Sequence, residues 1–133
     1  MKHNLQDCIG SRLRRLSRIT DGYYRKQLSG FSITENQLTI LFALRKMGKT
    51  EQGKIGQALV LERSTVSRNV KLLEKKDFII KTIGNRPEIE LSKKGNELVQ
   101  TLIPLWENAM DELIEKIGDK GMQYIRELEK KLN

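Results

Sequence analysis

"LERSTVSRNVKLLEKKDFII", Leu61–Ile80, holds an arginine and small hydroxyl side chains near its start and a basic run towards its end. Place Val66 at the centre of a buried face and step about 100° per residue: Val70 and Leu73 then fall within roughly 40° of it. Ser64, Arg68, Lys71 and Lys75 land roughly 140–200° round, on the opposite side, and Ser67 lies at the flank. No acidic residue comes within about 60° of the centre of that outer face. The segment reads as an amphipathic helix with an apolar anchor and an outward face of hydroxyls and cations.

Its neighbours give that helix a context. A short helix is expected just before it, over residues 51–59, with Ile55, Ala58 and Leu59 inward. Earlier still, "SITENQLTILFALRKMG" reads as a helix that Thr34 caps, with Gln37 three residues on completing a capping box. Leu38, Leu41, Phe42 and the stem of Arg45 are expected to face the core, and Gly48 to end the helix. After the quoted stretch, "FIIKTIGNRPEIELS" changes period to an alternation around Gly84-Asn85-Arg86-Pro87, the mark of a small β-hairpin. Two short helices joined by a tight turn and followed by a hairpin fit a winged helix-turn-helix.

Longer helices flank this unit. Leu5, Ile9, Leu13, Leu16 and Ile19, then Tyr23 and Tyr24, recur at helical spacing up to Ser29-Gly30. Beyond the hairpin, Ser92 is placed to cap a long helix whose stripe runs Leu98, Leu102, Leu105, Trp106, Ala109, Met110, Leu113, Ile114 and Ile117. Pro104 is expected to kink it, Gly118-Asp119 to break it, and a last helix to carry Met122, Ile125, Leu128 and Leu132. These stripes exceed what one small domain can cover, which points to packing against a second copy. The expected class is mainly α with a small β-hairpin wing.

Composition agrees with a folded domain. The 133 residues are 38% hydrophobic and 32% charged, and no apolar run approaches the roughly 20 residues needed to cross a bilayer. The first residues, MKHNLQDCIG, lack the apolar core of a signal peptide, so the expected location is the cytoplasm and no membrane partner is expected. Of the net charge of +8, residues 1–33 hold 7 Lys/Arg against 2 Asp/Glu, residues 34–91 hold 11 against 7, and residues 92–133 hold 7 against 8. A basic front with a near-neutral tail suits a polyanion partner for the front and another task for the tail.

A helix entering the major groove of DNA brings its N-terminal residues to base edges. Ser and Thr can bond a base or a phosphate, and Arg can bond guanine bidentately. Lys71 and Lys75, further along, are placed to meet backbone phosphates, which fixes register and carries no sequence information.

"KIGQALVLERSTVSRNVKLLEKKDFI" closely resembles the helix-turn-helix of MarR-type (multiple antibiotic resistance) transcriptional regulators, above all in the run Arg63-Ser64-Thr65-Val66-Ser67-Arg68. "RLRRLSR", "ITENQLTIL" and "ELSKKG" extend the resemblance over nearly the whole chain. It implies a single MarR-like domain over 1–133 in a homodimer that binds a pseudo-palindromic operator in double-stranded DNA. Helices within 5–29 and 92–133 would form the dimer interface, flanking a winged helix-turn-helix unit at 34–91. It also implies that Arg63, Ser64, Thr65, Ser67 and Arg68 read the major groove. Tyr23, Tyr24 and Trp106, with Phe31 and Phe42, would line a pocket for a small-molecule effector that releases a repressor.

This chain departs from the family pattern at three places. Val60 stands where the turn usually holds glycine, and Glu62 is a weaker helix cap than Asp or Ser. The wing is shortened to "IGNRPEIELS" without the usual Asp-x-Arg element, leaving Arg86 as the candidate for the minor groove.

Two other readings start from the same residues. One branch of the family senses hydroperoxides through a cysteine in the first helix. Registration on Arg18 puts that position near Gly10, whereas the lone cysteine is Cys8, with Arg12 four residues on as a possible thiolate partner. That makes a thiol-switched regulator one alternative, and a sequence-neutral architectural DNA-binding protein the other. One His and one Cys do not make a usual transition-metal site, and no Ser/His/Asp set or phosphate-binding glycine loop can be assembled. No metal, cofactor or enzymatic activity is expected.

Overall fold

The computed structural model describes residues 1–133. After a single 3-10 turn at Leu5–Asp7, the chain runs α1 (Ile9–Leu28), α2 (Glu35–Met47), β1 (Thr50–Glu51), α3 (Gln52–Leu59), α4 (Arg63–Lys75), β2 (Ile79–Lys81), β3 (Glu88–Leu91) and α5 (Lys93–Leu132). It divides into two compact units, residues Met1–Gly30 with Leu105–Asn133, and Phe31–Pro104.

Unit Phe31–Pro104 contains the winged helix-turn-helix. Thr34 and Gln37 form the expected capping box of α2: each backbone N–H donates to the other's side-chain oxygen at 3.2 Å. Ile40, Leu41, Leu44, Ile55, Val66, Val70, Leu73, Ile89, Val99 and Leu102 are its fully buried core. Phe42 is only half-buried and Arg45 is exposed, with its guanidinium donating to Asn96 Oδ1 at 3.3 Å. Ala58 is exposed too, and Gly56 takes the inward place on α3. A Cβ on Gly56 would sit 3.3 Å from the Leu61 carbonyl oxygen and 3.4 Å from a Val66 methyl, so the small residue lets α3 and α4 approach. In helices of two or three turns, neighbouring apolar positions compete for one inward direction, and the packing partner decides between them.

The wing is part of a three-stranded antiparallel sheet in the order β1-β3-β2, one strand more than the expected hairpin. Thr50 and Glu51 pair with Ile89 and Glu88. A two-residue strand has too few positions to show an alternation. Ser92 caps α5 as expected, its hydroxyl oxygen accepting the Gly95 N–H at 2.9 Å. Helical dihedrals persist through Pro104, and the non-helical residue inside α5 is Gly118, at φ 74°.

In unit Met1–Gly30 with Leu105–Asn133, Ala109 and Leu113 are buried. The α1 stripe Ile9, Leu13, Leu16 and Ile19 is exposed, as are Ile125, Leu128 and Leu132 near the end of α5. The apolar face that the sequence predicts is therefore present and stays in contact with solvent in a single chain.

Candidate nucleic-acid interface

The anchoring of α4 is what aims its outer face. Val66, Val70 and Leu73 are buried as expected, and Asn69 is buried with them. Asn69 donates to the Thr65 carbonyl oxygen at 2.8 Å and accepts from Gln37 Nε2 at 3.4 Å. Gln37 thus closes the α2 cap with one end and meets α4 with the other. Sequence reasoning saw only the cap, because a contact 32 residues apart leaves no periodic trace.

Both helices of the motif end in the same geometry. At the end of α3, the Leu61 N–H donates to the Gly56 carbonyl at 2.9 Å and Val60 N–H to Gln57 at 3.4 Å. At the end of α4, Phe78 N–H donates to Leu73 at 3.0 Å and Asp77 N–H to Glu74 at 2.9 Å. These are Schellman closures, which put the residue after the helix in the left-handed region. Asp77, at φ 66°, tolerates that region; Val60, at φ 54° and ψ 46°, is β-branched and does not. Since Val60 is 88% exposed, it gains no packing in return. Val60→Gly is expected to raise stability by about 1 kcal/mol, seen as a rise of a few degrees in Tm. An unchanged or lower Tm would contradict a left-handed turn.

Arg63, Ser64, Arg68, Lys71 and Lys75 are exposed, and Thr65 and Ser67 are half-buried at the flanks. Ser64, Ser67, Arg68, Lys71, Leu72 and Lys75 line one open depression of about 510 Å³ along the helix. Leu72, 44% exposed, is an apolar floor that the sequence reading overlooked among the cations. Its place in the i+4 row from Arg68 is the signal that could have found it. Glu62 precedes the helix and makes no capping bond through its side chain, so it satisfies none of the first-turn N–H groups. The positive end of the helix dipole and the cations therefore present one electropositive edge.

Arg86 lies exposed at the wing tip. Thr82 and Glu88 close the hairpin, with Thr82 N–H donating to Glu88 O at 2.9 Å and Glu88 N–H to Thr82 Oγ1 at 2.8 Å. Residues 83–87 project beyond that closure. No acidic side chain holds the Arg86 guanidinium in an ion pair.

The other predicted site residues divide between the two units, with Tyr23, Tyr24 and Trp106 in the one formed by Met1–Gly30 and Leu105–Asn133. All three are half-buried there, while Phe31 and Phe42 belong to the winged unit. The Tyr24 hydroxyl donates to Met110 Sδ at 3.2 Å, and burial, then the Asp21 charge, raises its pKa above the ordinary phenol value. Lys116 Nζ donates to the Tyr23 hydroxyl at 3.1 Å, a bond that raises the lysine pKa. Cys8 is exposed, and the Arg12 guanidinium sits 2.9 Å from the Asp7 carboxylate, which pairs with it.

Residues 33–88 match the family model of the MarR family. The chain is 25% identical over 118 residues to the uncharacterized HTH-type transcriptional regulator YhbI of Bacillus subtilis (strain 168), covering 79% of this chain and 75% of that protein. Among solved structures, it superposes on Bordetella bronchiseptica BpsR, studied for regulation of DNA binding by 6-hydroxynicotinic acid. That match has a TM-score of 0.88 and 18% identity, over 99% of this chain and 98% of that one. It also superposes on a cysteine-to-serine mutant of E. coli MarR complexed with operator DNA, with a TM-score of 0.84 and 16% identity over 98% and 99% of the two chains. At these identities the likeness to the solved structures is one of fold.

Proposed function

We propose that this chain, a DNA-binding transcriptional regulator with a MarR-family unit at residues 33–88, works as a homodimeric repressor of a pseudo-palindromic operator. The observation that carries the reading is the outer face of α4. Ser64 and the cations are exposed along one side with Ser67 half-buried at the flank, the apolar residues that anchor it are buried, and no acid interrupts it. In the major groove, Ser64, Thr65, Ser67 and Arg68 sit toward the leading end, where base edges are read, with Arg63 beside them. Lys71 and Lys75 follow and pair with phosphates. Arg86 enters the flanking minor groove, where a narrow A·T-rich groove attracts arginine.

The exposed stripes on α1 and near the end of α5 support assembly with a second copy, since contiguous apolar surface of this kind marks an interface. Two recognition helices in one dimer then reach successive major grooves about one helical turn apart. Effector control follows the example of BpsR, whose DNA binding 6-hydroxynicotinic acid regulates. Tyr23, Tyr24 and Trp106 are the residues we assign to a small-molecule effector. A ligand that binds one spacing of the two heads better than another changes operator affinity by that difference. The chain does its work in the cytoplasm, at the nucleoid, without catalysis.

Selection of bound duplexes from random DNA tests this reading. The expected product is an inverted repeat with half-site centres about 10 base pairs apart. Equal binding to all sequences, with affinity falling steeply with salt, would instead identify an architectural DNA-binding protein and sink the operator reading.

A further inference from the structure

The wing carries a second residue whose place the fold leaves without a task. Ile83 is fully exposed, next to Gly84 at φ 137° and three residues before Arg86. Single exposed apolar residues are ordinary on protein surfaces. Ile83 differs by its position, because the hairpin closes at Thr82 and Glu88 and leaves it on the projecting tip with Arg86. The core of the unit gains nothing from it. β2, which leads to the tip, begins directly after the Schellman turn that ends α4.

The minor groove offers a reader one distinguishing group. A·T pairs show only the acceptors adenine N3 and thymine O2, whereas G·C pairs add the guanine 2-amino donor. Arg86 supplies donors to those acceptors and has nothing to accept with. An isoleucine side chain seated beside it can neither accept from the 2-amino group nor leave room for water to do so. Burying that donor against alkyl surface leaves it unpaired, which is costly, whereas the A·T edge stays satisfied by arginine.

We propose that Ile83 is a specificity-determining residue of the wing: in the minor groove beside Arg86, it rejects the guanine 2-amino group and so imposes A·T pairs on the flanks of each half-site. The inference rests on the operator reading above. It gives the shortened wing its own selectivity, and it separates two contributions at one tip. Arg86 responds to groove width and potential, and Ile83 responds to a single exocyclic group.

The test uses duplexes carrying the selected half-sites with A·T, G·C or inosine·C flanks, measured by fluorescence anisotropy at fixed salt. Inosine keeps the purine major-groove edge of guanine and lacks the 2-amino group. The wild-type protein is expected to bind G·C flanks roughly tenfold more weakly than A·T flanks, with inosine·C restoring most of the loss. Ile83→Asn supplies an amide oxygen that can accept from the amino group, so the A·T to G·C ratio should fall to about twofold while Arg86 is intact. Thermal unfolding of Ile83→Asn is expected to match wild type, because the side chain is exposed.

A wild-type protein indifferent to flank composition overturns the proposal. So does an Ile83→Asn variant that keeps the wild-type ratio, the result expected if groove shape acts through Arg86 alone or if Ile83 docks a protein. Failure of the operator reading is seen separately, as equal binding to the selected and scrambled half-sites whatever the flanks.

Discussion

Gly95→Ala is expected to destabilise the chain by about 3 kcal/mol. Gly95 lies in the first turn of α5, and a Cβ there would overlap the carbonyl oxygen of Phe78. The obstacle is backbone, so no rotamer change relieves it. Several bonds hold that backbone in place. Phe78 N–H donates to Leu73 O at 3.0 Å, Ser92 N–H donates to Phe78 O at 3.0 Å, and the Ser92 hydroxyl donates to Asp77 O. Lys94 Nζ lies 5.1 Å from the centroid of the Phe78 ring and donates to Lys76 O at 3.1 Å. Phe78 joins α4 to the wing, so moving it should also disturb both elements proposed to contact DNA. Denaturant unfolding checks the loss directly, and wild-type stability in Gly95→Ala would contradict the close approach of α5 to this junction.

Leu16→Glu is expected to have the largest effect on binding. Leu16 is 56% exposed in the single chain, in the middle of the stripe Ile9, Leu13, Leu16 and Ile19. A carboxylate there costs the isolated chain little but would be desolvated without a partner in an apolar interface. The variant should sediment as a folded monomer with an unchanged helical spectrum. Each monomer then engages one half-site alone, and losing the second, tethered head should weaken operator binding by about 100-fold or more. A variant that stays dimeric would show that α1 does not form the interface.

Much of this site was legible in the sequence, and the reasons differ by element. The outer face of α4 follows from a 13-residue helix with its apolar residues at helical spacing, long enough for the period to fix which side is buried. The α2 cap follows from Thr34 and Gln37, whose chemistry is local. Val60 was legible as a residue out of place, and the structure supplies the reason: the Schellman turn needs a positive φ there. Other features depend on contacts distant in sequence. The pairing of β1 with β3 and the meeting of Gln37 with Asn69 join residues about 32 to 39 positions apart, which no periodicity encodes. The inward positions of α3 were misjudged at Ala58 because only two turns were available to set the phase.

The central claim, that α4 reads base sequence with its leading end and holds phosphates with its trailing end, has a direct measurement. It is the ratio of operator to scrambled-duplex affinity at fixed salt, together with the salt slope, for the wild type, Arg68→Ala and Lys75→Ala. Arg68→Ala is expected to lose about 1–3 kcal/mol of discrimination per half-site. Lys75→Ala is expected to keep the ratio and lower the salt slope by about 1 per subunit. An Arg68→Ala protein with the wild-type ratio would contradict the groove assignment.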